Sequence, residues 1–182
     1  MTKTENLTFE LDLNEVDKDA KSYSIKASSE QLQELVSRFK ILELSDLQAT
    51  VSVFYDKHQK GVVLTGHLKA DLVQQCVVTV GPVPEKIDEE FELLLVSAEQ
   101  AAAFDEDEMY ADPEAPDYDA LDGNIVPLGE IVAQTLSVMM NPYPRVTGAE
   151  VKPVAGSNFT ANEEVGKKPN PFSALAKLRD KS

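Results

Sequence analysis

Cys76 is the chain's single cysteine, and a thiol can act as nucleophile, soft metal ligand or redox group. Nucleophilic use needs a neighbouring base, and a metal site needs further ligands at matching spacing. No second cysteine exists to complete such a site. Cys76 falls in phase with the apolar side of a long alternating run, so it is expected to be a buried structural thiol. His58 belongs to a polar loop and His67 to the polar side of the same run. Neither has the i, i+4 helical partner that zinc hydrolases use, and both are expected to be solvated. Asp117, Asp119, Asp122 and Gly123 approach the composition of a calcium loop. That loop needs oxygen ligands at positions 1, 3 and 5, glycine at 6 and glutamate at 12. Counted from Asp117, position 5 is Leu121; counted back from Gly123, position 1 is Tyr118. Both registers fail. With no Gly-rich phosphate loop and no G-x-S-x-G, the expectation is no catalytic residue, no metal ligand and no cofactor.

The elements that would position these groups read as an α+β domain. Leu7, Phe9, Leu11 and Leu13 alternate with polar residues, as a half-buried strand requires, and Tyr23, Ile25 and Ala27 repeat the pattern. Ser28 stands three residues before Gln31, a capping-box spacing. Leu32, Leu35, Val36 and Phe39 then mark a short amphipathic helix ending near Lys40. Leu47 to Tyr55 alternates again and stops at the polar loop Asp56–Gly61. The return strand puts Val62, Leu64, Leu68, Ala70, Leu72, Cys76, Val78 and Val80 on one side, interrupted by Gly66 and Gln74, and Thr65, His67, Lys69 and Asp71 on the other. Gly66 marks a bend or bulge, Gly81-Pro82-Val83-Pro84 a turn, and Ile87–Val96 a fourth strong strand. Pro127 opens the clearest helix, with Leu128, Ile131, Val132, Thr135, Leu136, Met139 and Met140 on one stripe, ended by Asn141-Pro142-Tyr143-Pro144. The expected architecture is an antiparallel β-meander or partly closed sheet packed by two amphipathic helices. Residues 1–144 form the domain, residues 98–123 a mobile acidic loop, and residues 145–182 a flexible basic tail ending in a short N-P-F helix.

Charge is segregated along the chain. Between Glu85 and Asp122 fifteen acids face one lysine, a surplus of fourteen, while the formal net charge is −15 for all 182 residues. Such a block repels polyanions and attracts basic polypeptides, although charge runs are often only solvated spacers. The same balance argues against tight unassisted binding to nucleic acid or to an anionic membrane surface. No apolar run approaches the ~20 residues of a membrane span, and the N-terminus lacks the apolar stretch of a secretory signal. The expected location is the cytoplasm, in keeping with one cysteine and no disulfide framework.

Three segments together resemble a known family. They are Gly66–Cys76, then Asn124-Ile125-Val126-Pro127-Leu128-Gly129-Glu130-Ile131-Val132 with Met140–Pro144, and the terminal Lys168-Pro169-Asn170-Pro171-Phe172-Ser173-Ala174-Leu175-Ala176-Lys177-Leu178. In that order they are similar to the bacterial YceD family of large ribosomal RNA accumulation proteins, over roughly residues 60–182. The resemblance implies a ribosome-biogenesis factor supporting synthesis or accumulation of 23S rRNA. Many members carry a C-x-x-C pair at the end of the long strand. Here that pair reads Val73-x-x-Cys76, so the metal site suspected in those relatives does not transfer, and apolar packing is expected in its place.

Charge and resemblance combine into one expectation: a non-enzymatic adaptor that contacts a basic ribosomal protein or a precursor large subunit. Asp105, Glu106, Asp107 and Glu108 are the candidate protein contacts. Lys167, Lys168, Phe172, Leu175, Lys177 and Arg179, with Lys181, are the tail residues that would touch RNA or anchor the tail. The alternatives are an acidic interaction scaffold unrelated to ribosomes and an unrecognised enzyme, for which no constellation of converging titratable groups is visible.

Overall fold

The structure is a computed structural model that describes residues 4–106 and 117–150. The chain divides into two compact units, Met1–Val146 and Thr147–Ser182, and the helices and strands described lie in the first. Its elements in chain order are β1 (Thr4–Glu5), β2 (Leu11–Asp12), β3 (Lys21–Lys26), α1 (Ser29–Phe39), β4 (Glu43–Asp56) and β5 (Gly61–Gln75). They continue with β6 (Pro82–Ser97), α2 (Ala98–Glu106), β7 (Tyr118–Leu121), β8 (Ile125–Val126) and α3 (Leu128–Met139). The fold is α+β: a six-stranded sheet in the order β1-β3-β4-β5-β6-β7, and a separate β2-β8 ribbon.

Alternation in the sequence becomes two faces of one sheet. Antiparallel pairing sets Ala49 opposite Leu68, Val51 opposite Gly66 and Val53 opposite Leu64, all on the core side. One residue along, Thr50 opposes His67 and Ser52 opposes Thr65 on the outer side. Because the side-chain period is two, a slip of one residue would drive His67 and Thr65 into the core. Gly66 pairs with Phe91, and the Phe91 ring fills the place of its missing side chain: a Cβ there would lie 2.5 Å from the ring.

Two helices cover the core side. α1 has the expected capping box, with the Gln31 N–H donating to Ser28 Oγ at 3.3 Å and the Ser28 N–H to Gln31 Oε1 at 3.0 Å. Lys40 ends it in the left-handed region at φ 54°. α3 buries Leu128, Ile131, Val132 and Leu136, the predicted stripe. Arg38 and Glu130 join the two helices by a bidentate pair at 2.9 and 2.5 Å.

Four expectations need correction. The sheet is open, not partly closed, and its outermost strands β1 and β7 pair in parallel with β3 and β6. Leu7–Leu13 is not one strand: only Leu11–Asp12 pairs, and Leu13–Glu15 is a single 3-10 turn. Its apolar residues still pack on the core, but its backbone bonds to α3 at Gly129 and to the Asn124 carbonyl instead of to a long ladder. Among the described residues there are three α-helices, not two, because Ala98–Glu106 continues for nine residues. The stretch 98–123 is therefore structured at both ends, α2 first and β7 last. The reason is local: Phe104 and Tyr118 pack with Phe54 against buried Val63, Leu94, Val96 and Ala101, forming a second small core on the outer face. Their rings meet edge to face at 5.1 Å. Composition averaged over an acidic stretch hides two well-placed aromatic residues.

Candidate functional site

The most built-up polar geometry surrounds Cys76, at the turn between β5 and β6. The turn closes through the Cys76 N–H donating to the Gly81 carbonyl at 2.8 Å and the Val80 N–H to the Cys76 carbonyl at 3.0 Å. This winding aims the N–H groups of Val78 (3.4 Å) and Thr79 (3.3 Å) at the sulfur. A third N–H, from Val146, reaches it at 3.3 Å from the chain that leaves α3. Cys76 is buried, as expected. Its environment is not merely apolar, however. A hydrogen bond from the Thr79 side chain is the largest cause lowering the thiol pKa to about 6; burial opposes it, and the N–H groups of Val146, Thr79 and Val78 add to it.

The long strand is shorter than its alternation predicts: β5 ends at Gln75, and Cys76, Val78 and Val80 lie in the turn that follows, closed by the Cys76–Gly81 and Val80–Cys76 hydrogen bonds. Val73, the position paired with Cys76 in the resemblance, lies inside β5 opposite Pro84. The four-residue turn that wraps a sulfur is Cys76-Val77-Val78-Thr79, and its fourth position holds a hydroxyl. For a soft metal this offers one thiolate only, and among the described residues no three His, Cys, Asp or Glu groups gather as a metal site. The residues do not fit a metal site of the kind the resemblance suggests for members with the cysteine pair.

A second set of bonds locks the exit of α3 to the same end of the sheet. Glu85 accepts from the Gln74 side-chain amide at 2.6 Å through one oxygen and from the Asn141 N–H at 3.0 Å through the other. Gln74 also donates to the Asn141 carbonyl at 3.0 Å, and the Val77 N–H donates to the Pro144 carbonyl at 2.9 Å. In the sequence Glu85 looked like one more acid of the acidic stretch. Only the cross-strand geometry separates it from the others.

The outer sheet face holds a groove of about 620 Å³ lined by Thr50, Ser52, Thr65, Gly66, His67, Glu90, Phe91 and Glu92. His67 is not simply solvated: its Nε2 lies 2.5 Å from Asp88, which also takes Lys69 at 2.9 Å. Lys69 and, less, His67 hold the Asp88 carboxyl below its usual range. His58 stays in its loop, its N–H donating to Asp56 at 2.6 Å. Asp117, Asp119 and Asp122 lie in and around β7, not in a calcium loop.

Of the candidate contact residues, Asp105 and Glu106 fall in the last turn of α2. Asp107, Glu108, Lys167, Lys168, Phe172, Leu175, Lys177, Arg179 and Lys181 lie outside the described residues. Neither membrane crossing by a helix nor a disulfide is seen: no helix among the described residues is long and apolar enough to span a bilayer, and Cys76 is free.

The family model described as large ribosomal RNA subunit accumulation protein YceD matches residues 64–179. No curated protein and no solved structure matches the chain. The matched span begins in β5, takes in the Cys76 turn, the Glu85 lock and all of α3, and runs on to Arg179. It covers more than half of the chain. The chain belongs to the YceD family of large ribosomal RNA subunit accumulation proteins.

Proposed function

We propose that this protein is a cytoplasmic, non-enzymatic adaptor in assembly of the large ribosomal subunit, supporting synthesis or accumulation of 23S rRNA. In this reading its acidic stretch holds a basic ribosomal protein while the basic tail stays near RNA. The observation that carries it is the placement of charge: a surplus of fourteen negative charges lies between Glu85 and Asp122 in a chain of net −15. A ribosome-linked protein so charged suits a basic polypeptide better than a bare polyanion. Asp105, Glu106, Asp107 and Glu108 are the proposed protein contacts, and Lys167, Lys168, Lys177, Arg179 and Lys181 the RNA-facing ones, with Phe172 and Leu175 as an apolar anchor.

Gradient sedimentation with affinity capture tests this. The protein is expected to travel with precursor large subunits and to retain a basic ribosomal protein. Neutralising Asp105, Glu106, Asp107 and Glu108 to Asn or Gln should slow that association, most at low salt, since screening limits exposed charges to about 8 Å. Changing the tail cations to Gln should flatten the salt dependence of any RNA contact. Tight binding of bare 23S rRNA at physiological salt, with protein capture unaffected by the acidic variant, would replace the adaptor with a direct RNA binder.

A further inference from the structure

The outer face of the sheet divides sharply by charge. At one end every cation on it has a carboxylate: Lys26 with Asp46, Lys86 with Asp71, and both Lys69 and His67 with Asp88. Immediately beyond, Glu90 and Glu92 are exposed and have no cation or hydrogen-bond partner among the described residues. They flank the groove, which is also lined by the hydroxyls of Thr50, Ser52 and Thr65, by Gly66 and Phe91, and by His67, itself paired with Asp88. The same stretch of β6 is also a sheet edge. β7 pairs only with Leu94–Ser97, so among the described residues Pro82–Leu93 has β5 on one side and no strand on the other. An edge leaves backbone donors and acceptors open to an added strand.

We infer that the Ile87–Leu93 edge with its groove docks an extended polypeptide carrying Arg or Lys at alternate positions. Alternate side chains of an extended chain repeat every ~6.6–7 Å, the same spacing that separates Glu90 from Glu92 on β6. A segment laid along β6 can therefore present successive cations to the two free carboxylates while its backbone pairs with the edge. The hydroxyls can accept hydrogen bonds from guanidinium or ammonium groups, and the two carboxylates supply the charge that selects a cation. This inference rests on the adaptor reading and assigns the protein partner a second, structured contact beside the Asp105–Glu108 segment.

The test uses the full chain and fluorescent synthetic peptides of about ten residues, an extended length near 33 Å. One peptide alternates Arg with Thr, a second has the same composition with its arginines contiguous, and a third is the alternating peptide with alternate amides N-methylated. The alternating peptide is expected to bind best in anisotropy titrations. Glu90→Gln with Glu92→Gln should weaken it about three- to tenfold and reduce its salt dependence. N-methylation should weaken it as well, which long-range attraction alone would not produce. Equal binding of all three peptides, or no loss in the double variant, overturns the inference. If the double variant keeps its ribosomal protein while the Asp105–Glu108 variant loses it, the edge site is wrong and the adaptor stands. If no basic ribosomal protein is captured by wild-type protein at all, it is the adaptor reading that fails.

Discussion

Gly129 and Leu7 meet backbone to backbone: a Cβ on Gly129 would lie 2.0 Å from the Leu7 carbonyl oxygen. The approach lets the Gly129 N–H donate to the Phe9 carbonyl at 3.1 Å, so the N-terminal segment is held to the first turn of α3. Gly129→Ala should destabilise the protein. Alanine's better helix propensity is worth under about 1 kcal/mol, whereas the clash is with main chain that cannot rotate away, at about 1–3 kcal/mol or more. A lower urea midpoint at unchanged slope is the expected result. A midpoint equal to or above wild type would mean that the Leu7 segment is easily displaced.

Glu85 joins the sheet to the exit of α3, so Glu85→Ala removes two hydrogen bonds to one carboxylate. Charge-assisted bonds of this kind contribute about 1.5–3 kcal/mol when buried, and partial exposure puts the expected loss near the lower figure. Glu89→Ala, an exposed acid on the same strand, should change stability by less than about 0.5 kcal/mol. Chemical unfolding of the two variants side by side checks the difference.

Cys76 should titrate with a midpoint near pH 6, readable as thiolate absorbance in the folded protein. Thr79→Val deletes the largest cause of that shift and should move the midpoint up. The sign for stability follows from proton binding. Because the folded pKa lies below the unfolded one, the unfolded chain binds more protons between the two. The contribution is full above the unfolded pKa and is lost as pH falls through about 6. Cys76→Ala should flatten stability against pH in that window, and an unchanged profile would show the thiol to be neutral in the fold.

The Arg38–Glu130 pair ties α1 to α3, yet both side chains are more than a third exposed. Each single Ala variant should therefore cost less than about 1 kcal/mol, and a double-mutant cycle should give a coupling of a few tenths to about 1 kcal/mol. A much larger coupling would place the pair in a drier setting than its exposure indicates.

Periodicity alone located the helices α1 and α3, the capping box at Ser28 and Gln31, and the division of β5 into apolar and polar sides. Those features depend on neighbours within a few residues along the chain, and a local pattern reports them faithfully. The terminal and central motifs likewise carried the family without a structure, since they are strings of residue types in order. Tertiary structure decided what depends on partners far apart in the chain. The three N–H groups around Cys76 come from its own turn and from Val146, seventy positions on. Glu85 became a lock, and Glu90 and Glu92 edge carboxylates with no cation beside them among the described residues, only once strand pairing was known. Packing of Phe104 and Tyr118 turned the ends of an acidic stretch into a helix and a strand, because burial of a few rings outweighs the average composition of the segment.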